Sequence, residues 1–225
     1  MEPVAGVHAV PIEVSFGDRE LALTPTAVET PRGVLLLDAG VPGAVDDIDD
    51  ALAAEGLSLA DVWGVVATHQ DLDHVGSLAA VVDRTDAVVF AHGADAPAIE
   101  GEADLAKSSP DRPLSLDPAT VDVRLVGGET FETAAGPMEA IFTPGHTPGH
   151  TSYYFPEASL LVTGDTLNAV DGTLVGPRER VTPDMARAWD SVERLATLTV
   201  EHAICYHGGY VEAGDGRIRN LLADR

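Results

Sequence analysis

Short apolar runs, each followed by a turn or a polar residue, divide the chain into predicted strands and helices. Residues 34–37, 62–67 and 87–91 are almost entirely apolar, which is typical of strands buried on both faces. Between the first two runs, Val45, Ile48 and Leu52 share one face of a predicted helix over residues 42–55. Further strands are predicted over residues 7–16, 21–29, 121–126, 138–143, 152–155, 159–163 and 200–206.

Turn and cap residues mark the boundaries of these elements. Gly17 and Asp18 separate two β-prone runs and predict a hairpin. A helix follows the strand at 62–67 and runs to about Val82, and a second begins with Pro183 at its first position and ends near Leu195. Strands interspersed with helices predict an α/β fold.

Residues 93–118 interrupt this pattern. They hold four prolines, several charges and only weak periodicity, which predicts an irregular insertion with one short helix. Such a segment can act as a lid over a catalytic site, or it can be a passive excursion. We therefore expect one domain over residues 1–225 with a lid-like insertion at about 93–118.

The composition narrows the class of protein. At 225 residues, 45% of them hydrophobic, the chain suits one folded domain rather than a disordered one. No apolar run approaches the roughly 20 residues of a membrane helix, and Glu2, Glu13 and Asp18 lie where a signal peptide would be basic and then apolar. We expect a cytoplasmic protein. A single cysteine, Cys205, excludes an intrachain disulfide and a cysteine-rich zinc site.

The charge is strongly acidic. There are 37 acidic and 13 basic residues, a formal net charge of −24, and Lys107 is the only lysine. Such a chain repels nucleic acid and anionic membranes, so the expected partner is a small molecule, and the oligomeric state stays open. Abundant acids with almost no lysine favour a protein adapted to a salt-loaded cytoplasm over an ordinary acidic protein.

Four potential metal ligands lie within six residues after the strand at 62–67. They are His69, Asp71, Asp73 and His74. Imidazole and carboxylate are the groups that divalent transition metals prefer, and a loop leaving a strand can direct several of them at one point. The alternative is a polar turn in which Asp73 caps the next helix.

The same pairing of strand end and ligand recurs later in the chain. His146 lies in a loop stiffened by Pro and Gly, Asp165 follows the strand at 159–163, and His207 follows the last strand. Metal chemistry explains all of these positions together. Asp38 ends an earlier strand and either supports the site or caps the next element, whereas a lone strand-end histidine such as His92 is more often a surface or supporting residue.

From about Val28 through Tyr210, these motifs resemble those of the metallo-β-lactamase superfamily. The resemblance implies a four-layer αβ/βα sandwich of two mixed sheets with outer helices, and one or two divalent metal ions, with zinc the first choice. By position, His69, Asp71 and His146 would hold one ion, Asp73, His74 and His207 the other, and Asp165 would bridge them. His150 would pack or form hydrogen bonds.

One position departs from the family pattern. Asp71 stands where the family usually has its second histidine. An aspartate has a shorter reach than imidazole and adds a negative charge, so the first site is expected to be distorted, empty or tuned to manganese or iron.

The resemblance implies hydrolysis of a small ester, thioester or lactone by a metal-bound hydroxide, with Asp73 orienting that hydroxide as the catalytic carboxylate. Tyr210 is a candidate oxyanion donor, and Arg178 and Arg180 are candidate anion ligands. Two alternatives stay open: an iron-containing redox protein similar to the flavodiiron proteins, and a non-catalytic binding protein with a degraded site. The substrate within these classes does not follow from the sequence.

Overall fold

The computed structural model of the chain describes residues 1–17, 19–214, 216–223 and 225. Sixteen strands lie within these residues. The first eight are β1 Val7–Ala9, β2 Ile12–Phe16, β3 Arg19–Leu23, β4 Thr26–Thr30, β5 Gly33–Leu37, β6 Val62–Val66, β7 Val88–His92 and β8 Val123–Leu125. Six of them form a mixed sheet in the order β1-β4-β5-β6-β7-β8, parallel from β5 onward. The other two, β2 and β3, form the predicted hairpin, although Asp18 of its turn lies outside the described residues.

A second mixed sheet follows in the chain. Its region contains β9 Thr130–Thr133, β10 Gly136–Phe142, β11 Thr151–Phe155, β12 Leu160–Val162, β13 Asn168–Val170, β14 Thr173–Val175, β15 His202–Cys205 and β16 Gly209–Glu212. The sheet order is β16-β15-β12-β11-β10-β9, with β12 and β15 parallel and the other neighbours antiparallel. Strands β13 and β14 pair separately.

The described helices are α1 Val45–Ala54, α2 Leu72–Val75, α3 Leu78–Thr85, α4 Ala96–Ile99, α5 Met185–Leu195 and α6 Arg217–Ala223. None of the helices among the described residues has the length and apolar character that crossing a membrane requires.

The two sheets pack face to face. Leu35 and Leu37 of β5 contribute to the apolar layer between them, and Tyr153 and Phe155 of β11 join it from the other sheet. Because successive side chains of a strand point to opposite faces, Leu36 lies in a different cluster on the outer face. Burial on both faces explains why β5 has an unbroken aliphatic sequence.

Helices cover the outer faces of both sheets. Ile48 and Leu52 of α1 are buried in the same cluster as Leu36. On the other side, Val192 of α5 shares a cluster with Leu161 of β12. The order is therefore helix, sheet, sheet, helix, and the predicted four-layer fold is confirmed.

Two local predictions and one alternative differ from the structure. The late helix begins at Met185 rather than Pro183, because Asp184 is its N-cap and accepts from the Arg187 N–H at 3.0 Å. The single helix predicted after β6 is two helices, since the Ser77 side chain between them bonds to backbone groups of residues 41 and 44. Asp73 lies inside α2 and does not cap it.

Residues 93–118, all of which are described, contain α4 and no other helix or strand. Whether this segment moves as a lid stays a prediction.

Candidate metal centre

The topology brings the predicted ligands to one edge of the two sheets. In the first sheet, Asp38 follows β5 and residues 69–74 follow the parallel neighbour β6. In the second sheet, β10, β12 and β15 point the same way, because β10 and β12 are both antiparallel to β11 and β15 is parallel to β12. Their ends lead to the loop of His146, to Asp165 and to His207.

Six of the seven predicted ligands form two groups of three. Within each group, the potential ligand atoms all lie within 4.8 Å of one another. The first group is His69, His146 and Asp165, and the second is Asp73, His74 and His207.

Asp165 lies between these groups. One of its oxygens is 3.2 Å from Nε2 of His146, and the same oxygen is 3.5 Å from Nε2 of His207. Its other oxygen is 3.2 Å from Nε2 of His74. Burial raises the pKa of Asp165, but the neighbouring histidines, led by His74, outweigh burial and hold the pKa well below its usual value.

The donor set fits a metal ion. His69 Nε2, His74 Nε2 and Asp165 Oδ1 are buried and make no well-directed hydrogen bond to any described residue, although Asp165 Oδ1 lies 3.2 Å from His74 Nε2 and His69 Nε2 lies 3.3 Å from the Asp71 carboxylate. Buried polar atoms in native proteins nearly always have a partner, and three such atoms in one cluster need an explanation. Lone pairs of imidazole and carboxylate directed at a common point are what a divalent transition metal requires.

Asp38 supports His74 from the side opposite the cluster. Its carboxylate accepts from Nδ1 of His74 at 2.8 Å and from the N–H and hydroxyl of Thr68, each at 2.8 Å. Burial lowers the pKa of His74, but the carboxylates of Asp38 and Asp165 outweigh it and the pKa lies well above its usual value. The site therefore favours a cation at Nε2, and a hydrogen bond at Nδ1 fixes the ring orientation that a ligand needs.

His150 acts on Asp165 through the backbone. Its Nε2 accepts from the Asp165 N–H at 2.9 Å, and its Nδ1 lies 2.9 Å from the Thr143 hydroxyl. Burial is the main cause that lowers the pKa of His150 well below its usual value, so the ring is neutral and able to accept this bond. This is the hydrogen-bonding role expected from the sequence.

Asp71 lies beside the two histidines of the first group and is also paired with a cation. Its carboxylate contacts Nζ of Lys107 and is 3.1 Å from Nε2 of His146 and 3.3 Å from Nε2 of His69. Burial raises the pKa of Asp71, but His69, His146 and Lys107 outweigh burial and place the pKa well below its usual value. Lys107 was not among the predicted site residues.

Tyr206 and Asp95 also serve the site without having been predicted. Tyr206 stacks on the His74 ring with centroids 3.7 Å apart, and its hydroxyl donates to the backbone carbonyl of Asp73. Asp95 is buried and bonds to both ligand loops, through Gln70 on one and Thr147 on the other. An aspartate just before a short helix looks like an N-cap, so no separate signal in the sequence marks Asp95.

Four other candidates lie elsewhere. The Tyr210 hydroxyl is 2.8 Å from Nδ1 of His202, the first residue of β15. The predicted ligand His207 lies beyond the other end of that strand, so the expected oxyanion role of Tyr210 is not supported. His92 stacks on Phe142 at 4.2 Å. Arg178 and Arg180 are exposed.

A family model described as the metallo-beta-lactamase superfamily matches residues 24–207. The chain is 27% identical over 233 residues to a probable metallo-hydrolase of Bacillus subtilis (strain 168), with 92% of this chain and 85% of that protein covered. It is 31% identical over 181 residues to the hydroxyacylglutathione hydrolase of Ruegeria pomeroyi, with 78% and 60% covered. The chain therefore spans less than two thirds of that hydroxyacylglutathione hydrolase.

Solved structures share the fold. A metallo-beta-lactamase family protein from Thermus thermophilus aligns with a TM-score of 0.76 at 22% identity, covering 98% of this chain and 79% of the other. A subclass B3 metallo-beta-lactamase of Bradyrhizobium japonicum aligns with a TM-score of 0.69 at 18% identity, covering 97% and 90%. At these identities the likeness is one of fold.

Proposed function

The chain belongs to the metallo-β-lactamase superfamily, and from this premise we propose that it is a metal-dependent hydrolase of a small thioester, ester or lactone. The observation that carries the proposal is the cluster of buried imidazole and carboxylate atoms without hydrogen-bond partners among the described residues. A thioester is the first choice, because hydroxyacylglutathione hydrolases are among the relatives.

Asp73, His74 and His207 would hold a divalent ion, with Asp165 beside them, and His69 and His146 offer further donors. Zinc suits this mixture of imidazole and carboxylate. A bound ion of this kind polarises a carbonyl oxygen and lowers the pKa of water toward neutrality.

Exposure indicates the side from which a substrate enters. The Asp73 and His207 side chains are 29% and 18% exposed, whereas those of His69, His74 and His146 are 2% exposed or less. Asp73 therefore lies where a substrate and a water molecule could both reach it. Its carboxylate, 3.3 Å from Nε2 of His207, is placed to orient the water and to accept its proton during attack on the acyl carbon.

A redox function with iron has less support. That alternative depends on Asp71 as an additional carboxylate ligand, and the Asp71 carboxylate is instead paired with the Lys107 ammonium. This pairing explains an aspartate at position 71 without iron.

The test compares metal-free protein with protein reconstituted with zinc, on an acyl-glutathione thioester, the matching oxygen ester and a small lactone. We expect zinc-dependent turnover of at least one of them, with the thioester fastest. Asp165→Asn should reduce both zinc content and turnover, whereas Asp171→Asn, an exposed aspartate in a turn, should change neither. Zinc-loaded protein that hydrolyses none of the three would favour a binding protein instead.

A further inference from the structure

Lys107 is the only lysine of the chain, and its ammonium lies among the ligands of the first group. Nζ contacts the Asp71 carboxylate and is 2.7 Å from Nε2 of His146. The side chain is only 20% exposed, so this ammonium is largely removed from water. A cation therefore lies against both His146 Nε2 and the Asp71 carboxylate.

The contact with His146 decides which atoms remain available to a metal. An ammonium has only donors, so in this contact Nε2 of His146 accepts, and its Nδ1, 3.3 Å from the Thr182 hydroxyl, carries the ring proton. The Asp71 and Asp165 oxygens, 3.1 and 3.2 Å from the same Nε2, then receive no proton from it, and the Lys107 ammonium supplies the positive charge beside them. Nε2 of a neutral imidazole has a single lone pair. Lys107 and a metal ion therefore compete for the same lone pair of His146.

The backbone holds Lys107 in this position. The N–H of the preceding residue, Ala106, donates to Oε1 of Gln70 at 2.7 Å. Gln70 is held in turn by Asp95, to which its side-chain amide donates at 2.8 Å. The residue before Lys107 is thus tied to the same loop that carries Asp71, which limits the freedom of the lysine to leave.

Asp71 and Lys107 also compensate each other. Asp71 adds a negative charge where the sequence motif would have a neutral histidine, and the single lysine supplies the opposite charge beside it. A buried carboxylate is costly unless it is paired, so each residue accounts for the presence of the other. In contrast, no contact of Lys107 with Asp73, His74 or His207 is found among the described residues.

We propose that the Lys107 ammonium acts as a built-in cation in the first group, so that the chain binds one transition-metal ion, held by Asp73, His74 and His207. This inference rests on the proposed metal-dependent hydrolase and specifies its metal content. Lys107 then supplies the second positive charge of the site, and its ammonium can donate a hydrogen bond to an acyl oxygen of the substrate.

The test is a zinc titration of metal-free protein, with bound zinc counted by elemental analysis after removal of the excess. We expect about one ion per chain in the wild type and about two in Lys107→Met, which keeps an unbranched side chain one atom shorter and removes the charge. Arg112→Met is the matched control, because it removes a positive charge from the same segment at an exposed position and should leave about one ion. Two ions in the wild type, or no gain in Lys107→Met, would overturn the inference.

A second measurement on the wild type covers the case in which Lys107→Met does not fold. The amine-reactive probe is an acetylating ester, and peptide mass spectrometry reads the modification at Lys107. Zinc binding should leave Lys107 as protected as in the metal-free protein, since the ion lies in the second group. A rise in acetylation in step with zinc binding would mean that the ion displaces the lysine, which contradicts the proposal.

These readouts do not involve substrate, so they separate the two proposals. A gain of zinc in Lys107→Met without hydrolysis of any test compound would leave the lysine assignment standing and remove the hydrolase. Hydrolysis by a wild type that binds two ions would leave the hydrolase standing and overturn the lysine assignment.

Discussion

The Asp95 carboxylate accepts a hydrogen bond from the backbone N–H of Gly149 at 2.7 Å, 54 residues further along the chain. The same carboxylate accepts from the backbone N–H of Gln70 at 3.1 Å and from the Thr147 hydroxyl at 2.6 Å. One buried carboxylate thus connects the loop of His69 to the loop of His146. These two loops come from different sheets, so Asp95 fixes the spacing of ligands that the strands alone do not set.

Replacement of Asp95 should therefore affect both stability and metal binding. In Asp95→Ala, buried donors of Gln70 and Gly149 lose their acceptor, which should lower the free energy of unfolding by roughly 3 kcal/mol. Urea unfolding of the metal-free protein measures this loss, and zinc titration should show weaker binding, because Gln70 lies on the loop that leads to Asp73 and His74. Asp104→Ala, an exposed aspartate of the same segment, is the control. Equal stability of the two variants would show that the loops are held by other contacts.

Gly164 provides a second test of ligand placement. Its φ is +54°, and a Cβ there would lie 2.5 Å from Nε2 of His150, the atom that accepts from the Asp165 N–H. Gly172 also has a positive φ, +70°, but a Cβ there meets nothing within 4 Å.

Both alanine variants carry the cost of a left-handed backbone, about 1 kcal/mol. The difference between their free energies of unfolding therefore measures the crowding at position 164. We expect Gly164→Ala to be destabilised by roughly 2 kcal/mol more than Gly172→Ala in urea unfolding. Zinc binding should weaken in Gly164→Ala alone, because its crowding displaces His150 and with it Asp165. Similar zinc binding by both variants would argue against His150 as the residue that positions Asp165.

The sequence was informative where one local pattern determines the structure. The aliphatic run at 34–37 predicted β5, and the spacing of Val45, Ile48 and Leu52 predicted the buried face of α1. Ligands at strand ends were recognisable because neighbouring parallel strands end at the same edge of a sheet. These features depend on residues close together in the chain or on a general property of sheets.

The sequence was uninformative where two distant segments meet. Lys107 lies 36 residues from Asp71, in a segment without periodicity, so nothing in the pattern indicates that the two charges pair. Tyr206 and Tyr210 are both close to His207 in the chain, yet Tyr206 contacts His74 and Asp73 of the candidate metal centre, whereas the Tyr210 hydroxyl contacts His202. Which tyrosine does so depends on the register of β15 and β16, which the sequence does not specify.

Metal binding should release protons at neutral pH. Burial lowers the pKa of His207, but Asp165 outweighs it and raises the pKa to about 9. Below that pH the ring carries a proton at the position of the metal, and binding must displace it. Calorimetric zinc titrations in buffers of different ionisation enthalpy measure the number of protons released, which should fall as the pH rises through about 9. The affinity for zinc should drop as the pH is lowered. A release independent of pH between 7 and 10 would contradict the assigned role of His207.

Cys205 should be inert in the folded protein. Burial raises the pKa of its thiol to about 12, so at pH 8 only about one molecule in ten thousand is a thiolate. A thiol-reactive chromogenic disulfide should label no cysteine in the native protein and one per chain in guanidinium chloride. Rapid labelling under native conditions would mean that β15 opens locally far more often than its interior position between β16 and β12 implies.

Salt should stabilise this protein. The net charge of −24 opposes a compact state, and the screening length falls from about 10 Å at 0.1 M salt to about 3 Å at 1 M. Surface ion pairs such as Arg84–Asp46 are weakened by the same screening, but each contributes little and the chain has only 13 basic residues with which to form them. We therefore expect the melting temperature to rise by about 5 °C between 0.1 and 1 M potassium chloride. Sucrose at equal osmolality, which leaves charges unscreened, is the control. A melting temperature that falls with salt, or rises equally in sucrose, would show that self-repulsion is not what limits the stability of the fold.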